Sequence, residues 1–195
     1  MGKLIISGIA GAVLSGGKNS RMGGRCKALL SFRGRPLIAP ALDLLRGVFG
    51  SAVVIANDPA GYEGLGARVL PDILKDKGPL GGIHAALAGC GARPVFVAAC
   101  DMPFLDEGLI RALAAEWLRA GRGAAVPRAG GLLEPLCGVY GPELAAPLAA
   151  FLLAASDLSV RAFLRGVPTR VLELGPDSRR VFTNLNSPAD LEVAP

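Results

Sequence analysis

Short, nearly continuous apolar runs alternate along this chain with longer stretches of helical period. That alternation limits the folds open to it more than any other feature. Residues 9–14, 52–56 and 94–99 are the strongest runs, and each reads as a strand buried on both faces. Residues 68–70, 124–126, 136–140 and 170–174 are weaker strand candidates. Helical spacing fits residues 37–48, 80–89, 106–120, 141–154 and 158–164. Asp106-Glu107 suits the positive N-terminus of the third helix, and Ser187-Pro188-Ala189-Asp190 predicts a short closing helix. Strands alternating with helices predict an α/β chain of three layers, a Rossmann-like fold whose mostly parallel sheet is covered on both faces. No linker or repeat interrupts it, so one domain is expected over residues 1–195. Residues 122–134 are rich in Gly and Ala, with a turn expected at Arg128-Ala129-Gly130-Gly131.

Composition supports a packed domain. The chain is 51% hydrophobic but only 5% aromatic, so its core must be built from aliphatic side chains. A charged fraction of 19% is too low for a disordered chain. The net charge of +5 suits an anionic substrate. The cations are scattered rather than clustered with aromatics, which argues against a nucleic-acid interface. No apolar run approaches about 18 uninterrupted residues, so no membrane span is expected. Among the four cysteines, Cys26, Cys90, Cys100 and Cys137, no pair has the spacing of a zinc or redox motif. Reduced thiols in a cytoplasmic protein are the expectation. The lone histidine, His84, cannot build a histidine-rich metal site.

The first strand runs into Leu14-Ser15-Gly16-Gly17-Lys18-Asn19-Ser20-Arg21-Met22-Gly23-Gly24-Arg25-Cys26-Lys27. Glycine has no Cβ to hold a ligand away from backbone N–H groups, and Arg21 and Lys27 add two cations. Together these make a cradle for consecutive negative charges, as a nucleoside triphosphate presents them. A plain turn with solvated cations is the alternative. The segment is not a P-loop, since no Gly-Lys-Ser/Thr ends it, and it is not G-x-G-x-x-G. Gly16, Asn57, Asp72 and Asp101 all fall at or just after expected strand ends. In parallel sheets ligands collect at that edge, so the four are expected to share one site. Asp101 at a strand end offers the hard oxygen that Mg²⁺ takes, although a helix-capping role is also open.

The pattern G-G-x3-R-M-G-x3-K resembles the nucleotidyltransferases that activate sugars, isoprenoid precursors and pterins. Within them the chain is most similar to the molybdenum cofactor guanylyltransferases. The resemblance continues through Val53-Val54-Ile55-Ala56-Asn57, Leu70-Pro71-Asp72, Gly78-Pro79-Leu80-Gly81-Gly82-Ile83, Cys100-Asp101-Met102-Pro103-Phe104, Glu134-Pro135-Leu136 and Phe182-Thr183-Asn184-Leu185-Asn186-Ser187-Pro188. It implies the nucleotidyltransferase form of the α/β fold. It also implies transfer of GMP from GTP to the terminal phosphate of molybdopterin, with release of pyrophosphate and with Mg²⁺ as cofactor.

The same resemblance implies roles for particular residues. Arg21, Lys27 and Asp101 are the expected catalytic group, with Asp101 on the metal. Leu14, Ser15, Gly16, Gly17, Lys27, Asn57, Asp72, Gly78, Pro79, Leu80 and Asp101 are the expected nucleotide contacts. Asn184 and Asn186 would face the pterin; on extended backbone two such residues point the same way. Plain alternatives stay open for several of these: a turn at Asn57-Asp58-Pro59, a solvated carboxylate at Asp72, and capping by the two asparagines. Ser159, Val160, Arg161 and Arg165 match a family segment on the same side more loosely. Expected partners are GTP, molybdopterin and, transiently, proteins of cofactor synthesis and molybdoenzyme maturation. The family usually carries an acid immediately before the loop lysine; here Cys26 stands there, after Arg25. The competing activities are a molybdopterin cytidylyltransferase, a sugar-phosphate nucleotidyltransferase, or a nucleotide-binding or cofactor-carrier protein without turnover.

Overall fold

A computed structural model describes residues 4–16, 26–183 and 185. Its main sheet has eight strands. Six follow the expected runs closely: β1 (Ala10–Leu14), β4 (Ala52–Ile55), β5 (Arg68–Leu70), β6 (Val95–Ala99), β9 (Cys137–Tyr140) and β10 (Thr169–Leu174). The others are β7 (Ala124–Ala129) and β8 (Leu132–Leu133). A separate small hairpin, β2 (Ser31–Phe32) with β3 (Arg35–Pro36), follows the first loop. The sheet order is β10-β7-β9-β6-β1-β4-β5, with β8 paired to β7. β1 pairs in parallel with both β4 and β6, and β4 with β5.

Among the described residues five α-helices cover the sheet: α1 (Ala39–Phe49), α2 (Gly78–Gly89), α3 (Glu107–Ala120), α4 (Ala145–Ala154) and α5 (Val160–Leu164). Strand alternation assigns the faces. Ile9, Val13, Val54, Phe96 and Ala98 pack into one cluster with the buried residues of α1 and α3. Ala12, Leu14, Val53, Ile55, Val95 and Val97 pack into a second with those of α2, α4 and α5. The strands are apolar on both sides because both sides are covered, which is why they read as unbroken runs rather than alternating ones. Asp106 caps α3 as expected, its carboxylate accepting the Leu109 N–H at 2.9 Å. The expected closing helix at Ser187-Pro188 lies outside the described residues.

The sheet is mostly parallel, as expected, with two antiparallel strands. β8 runs antiparallel to β7, and β9 runs antiparallel to both β6 and β7. The chain reverses at Gly130-Gly131, whose φ values of +55° and +80° fit a two-residue hairpin turn joining β7 to β8. The turn therefore falls after Ala129, and β7 extends through it rather than stopping at Val126. Arg128 lies opposite Leu133 and the Glu134 N–H still donates to Pro127 O at 3.0 Å, but Ala125 lies opposite Val139, so three extra residues follow Glu134 on the returning strand. This bulge is fixed in place. The Ala99 N–H donates to Leu136 O at 3.0 Å, and the buried Tyr140 hydroxyl donates to Pro135 O at 2.6 Å. The bulge is thereby held at the C-terminal end of β6, where Asp101 emerges.

Candidate active site

The ends of the three central strands are stitched together. Ser15 N–H donates to Ile55 O at 2.9 Å, and Cys100 N–H donates to Leu14 O at 3.1 Å. Leu14 is buried, Ser15 half-buried and Gly16 exposed at this edge. Gly17 and Arg21 lie outside the described residues. The description resumes at Cys26, which precedes a 3₁₀ turn over Lys27–Leu29.

Lys27 and Asp101, 74 residues apart in sequence, meet here: the lysine Nζ donates to Asp101 Oδ2 at 2.6 Å. Both side chains are largely shielded, with exposures of 19% and 17%. The pairing means that Lys27 is oriented by Asp101, so an acid at position 26 is not needed for that purpose. Among the described residues no three His, Cys, Asp or Glu side chains converge on one point. Mg²⁺ needs no such cage, because it usually takes one or two carboxylates and completes its shell with substrate phosphates and water. A single strand-end carboxylate beside a cationic loop fits that donor set.

Cys26 has a different neighbour. The hydroxyl of Tyr62, a residue only 2% exposed, lies 2.5 Å from Ser15 Oγ and 3.0 Å from Cys26 Sγ. Burial, then the Cys26 hydrogen bond, pushes the Tyr62 phenol well above its ordinary range, so it stays protonated. Tyr62 thus ties the loop after β4 to both ends of the glycine-rich segment. Sequence reasoning missed it, because a lone tyrosine in a turn carries no spacing signal. Tyr62→Phe is expected to lower unfolding stability by about 1–2 kcal/mol, the range for stranding buried partners. Urea unfolding of the two proteins side by side checks this.

Asn57 and Asp72 are brought together by a reciprocal pair of bonds. Asn57 Nδ2 donates to Asp72 Oδ2 at 2.9 Å, and the Asp72 N–H donates to Asn57 Oδ1 at 3.0 Å. Both lie at strand ends, after β4 and β5. Gly78 and Pro79 are exposed at the start of α2. Leu80 differs from the expectation: its side chain is wholly buried in the core, which leaves only its backbone for a ligand. The glycines that follow have a packing role. A Cβ on Gly81 would stand 3.0 Å from Leu74 O, and one on Gly82 would stand 3.2 Å from Leu14 Cδ2. Their absence lets α2 start against the end of β1 and the Asp72 loop.

Asn184 and Asn186 lie outside the described residues. Leu185 between them is buried with Phe32 and Leu37, and its N–H donates to Asp101 O at 3.3 Å. The other thiols and the histidine are poorly placed for nucleophilic or base chemistry. Burial, reinforced by Asp101, pushes the Cys100 thiol up to about 12, and burial lowers the pKa of His84. Sequence reasoning noted Glu134-Pro135-Leu136 without giving it a role; the bulge brings it to the same edge.

Comparison with known proteins agrees with this fold. The model of a family described as a MobA-like NTP transferase domain matches residues 11–172. The chain is 39% identical over 189 residues to the molybdenum cofactor guanylyltransferase of Cereibacter sphaeroides, covering 94% of each protein. It is 36% identical over 185 residues to that of Pseudomonas putida, covering 92% of this chain and 94% of the relative. Among solved structures it resembles molybdopterin-guanine dinucleotide biosynthesis protein A from Archaeoglobus fulgidus. The TM-score there is 0.78 at 28% identity, covering 94% of this chain and 95% of that one.

Proposed function

The chain belongs to the MobA-like NTP transferase domain family, and we propose that it transfers GMP from GTP to the terminal phosphate of molybdopterin. The observation that carries this reading is the shielded Lys27–Asp101 pair at the carboxyl edge of the sheet, beside the glycine-rich loop. In the reaction, an oxygen of the molybdopterin phosphate forms a bond to the α-phosphorus of GTP. The bond from that phosphorus to the α,β-bridging oxygen breaks, and pyrophosphate leaves with the electron pair. The nucleophile is already anionic, so no side chain has to remove a proton from it. Positioning and charge neutralisation are the protein's main work.

Lys27 and Arg21 neutralise the β- and γ-phosphates and the leaving group, while backbone groups of Leu14, Ser15, Gly16 and Gly17 line the nucleotide. Asp101 would hold Mg²⁺ together with the triphosphate, and the metal would supply charge neutralisation at the α-phosphate. Gly78 and Pro79, with the backbone of Leu80, border the nucleoside. Asp72, held in place by Asn57, has lone pairs left to accept from the N1–H and 2-amino edge of guanine. Asn184 and Asn186, flanking an anchored Leu185, are assigned to molybdopterin. The product is a cofactor for other enzymes, so transient contacts with cofactor-synthesis and molybdoenzyme-maturation proteins, in the cytoplasm, belong to the same proposal. Among the described residues, no helix is long and apolar enough to cross a membrane.

Formation of the guanine dinucleotide and pyrophosphate from GTP and molybdopterin tests the reaction. Competition of ATP, CTP and UTP against labelled GTP tests the base. GTP is expected to be preferred, and Asp72→Asn to erode that preference more than it weakens triphosphate binding. A site built to pair specific donors discriminates strongly against ligands that lack them. Equal displacement by CTP in the wild type would favour the cytidylyltransferase alternative.

A further inference from the structure

A cavity of about 250 Å³ opens one residue beyond Asp101, where Met102 forms part of its wall. Pro135, Leu136 and Val160 supply the remaining apolar surface. Two charged groups line it. Arg161 on α5 is one, anchored by a 2.8 Å hydrogen bond from Nη2 to Leu133 O. Glu134, at the start of the bulge, is the only carboxylate among the described lining residues. Among the described residues the Glu134 side chain has no hydrogen-bond or ion-pair partner. It feels Arg161 and Arg179 only at longer range, and burial raises its pKa above the ordinary carboxylate value. Arg179 is itself held over the hairpin turn, where a Cβ on Gly130 would stand 2.8 Å from its Nε.

The Glu134 carboxylate is half-buried but still reached by water, and a ligand that offers donors there would replace that hydration. The backbone carrying it is rigid, because Ala99, Tyr140 and the Cys137 N–H all bond to the bulge, the last to Glu134 O at 3.1 Å. Apolar walls with one convergent carboxylate are what a flat, partly polar ring requires. We propose that this cavity takes the pterin ring of the second substrate and that the Glu134 carboxylate reads its adjacent N3–H and 2-amino donors. This inference rests on the molybdopterin reading above. Glu134 is then a specificity-determining residue on the acceptor side, as Asp72 is on the nucleotide side. Guanine carries the same donor pair, so the site and not the edge chemistry must separate the two rings. The cavity's position past Asp101, away from the Asn57–Asp72 pair that follows β4 and β5, provides that separation.

The test uses 6-hydroxymethylpterin, which lacks the phosphate, and reads binding by the ring's own fluorescence. Wild type, Glu134→Gln and Glu134→Ala are compared, with GTP titrated separately and guanosine as competitor. Both variants are expected to bind the pterin roughly ten- to hundred-fold more weakly, the range for a charged hydrogen-bond acceptor, with GTP affinity unchanged. Wild-type pterin affinity should also fall as pH is lowered through the raised Glu134 pKa, and Glu134→Gln should remove that dependence. Undiminished pterin binding by Glu134→Gln would overturn the assignment. So would absence of pterin binding in the wild type, an equal loss of GTP binding in the variants, or displacement of the pterin by an equimolar concentration of guanosine. Wild type that binds pterin through Glu134 yet forms no dinucleotide would refute the proposed reaction and leave this pocket standing.

Discussion

Asp101→Asn is expected to lower Mg²⁺-dependent guanylyl transfer by roughly two to three orders of magnitude while preserving the fold. The substitution keeps the shape of the side chain, and a neutral amide is a far weaker ligand for a hard cation than a carboxylate. It also removes one partner of Lys27, whose ammonium now sits 2.6 Å from the carboxylate. The lysine keeps its charge for the triphosphate, so GTP affinity should change much less than turnover. Pyrophosphate release at saturating GTP and increasing Mg²⁺, with the melting temperature as a control for folding, measures both. A loss of only a few-fold at saturating Mg²⁺ would remove Asp101 from the metal role.

Lys27→Ala should weaken GTP binding by roughly 1.5–3 kcal/mol, the range for hydrogen bonds to charged groups. Calorimetric titration with GTP, GDP and GMP supplies the critical comparison. The penalty should shrink as phosphates are removed, because the lysine is assigned to the β- and γ-phosphates. A penalty of the same size for GMP would place Lys27 elsewhere. The effects of Lys27→Ala and Asp101→Asn should not add, since the two side chains form one direct contact. Cys26→Asp, in contrast, should leave GTP binding within a few-fold. Residue 26 contacts Tyr62 rather than Lys27 in the hydrogen bonds of this site, and the lysine already has a carboxylate. Abolition of binding by Cys26→Asp together with a silent Lys27→Ala would refute the cradle.

Much of this was written locally in the chain. The unbroken apolar runs ending at Leu14, Ala56 and Ala99 announced strands covered on both faces, because a face open to water would have required alternate polar residues. The residues at or just after strand ends, Gly16, Asn57, Asp72 and Asp101, could be placed at one edge, given parallel strands. The Asp106 cap and the start of α3 were legible for the same reason: each depends on residues within one turn of helix. The direction of β9 was not legible. A short buried strand has the same apolar pattern whichever way it runs, and only the positive-φ turn at Gly130-Gly131 and the register with β7 fix it.

That reversal also creates the bulge that follows Glu134, so the residue proposed to read the pterin owes its position to strand pairing rather than to any motif. The Lys27–Asp101 and Ser15–Tyr62–Cys26 contacts are of the same kind. Local sequence determines the period, ends and caps of each element, because those energies come from residues a few positions apart. Strand order and register decide which distant side chains share a dielectric environment and a hydrogen bond. The sequence by itself therefore determined the α/β layering and the edge on which the chemistry sits. Only the tertiary structure decided that the loop lysine is held by the strand-end aspartate.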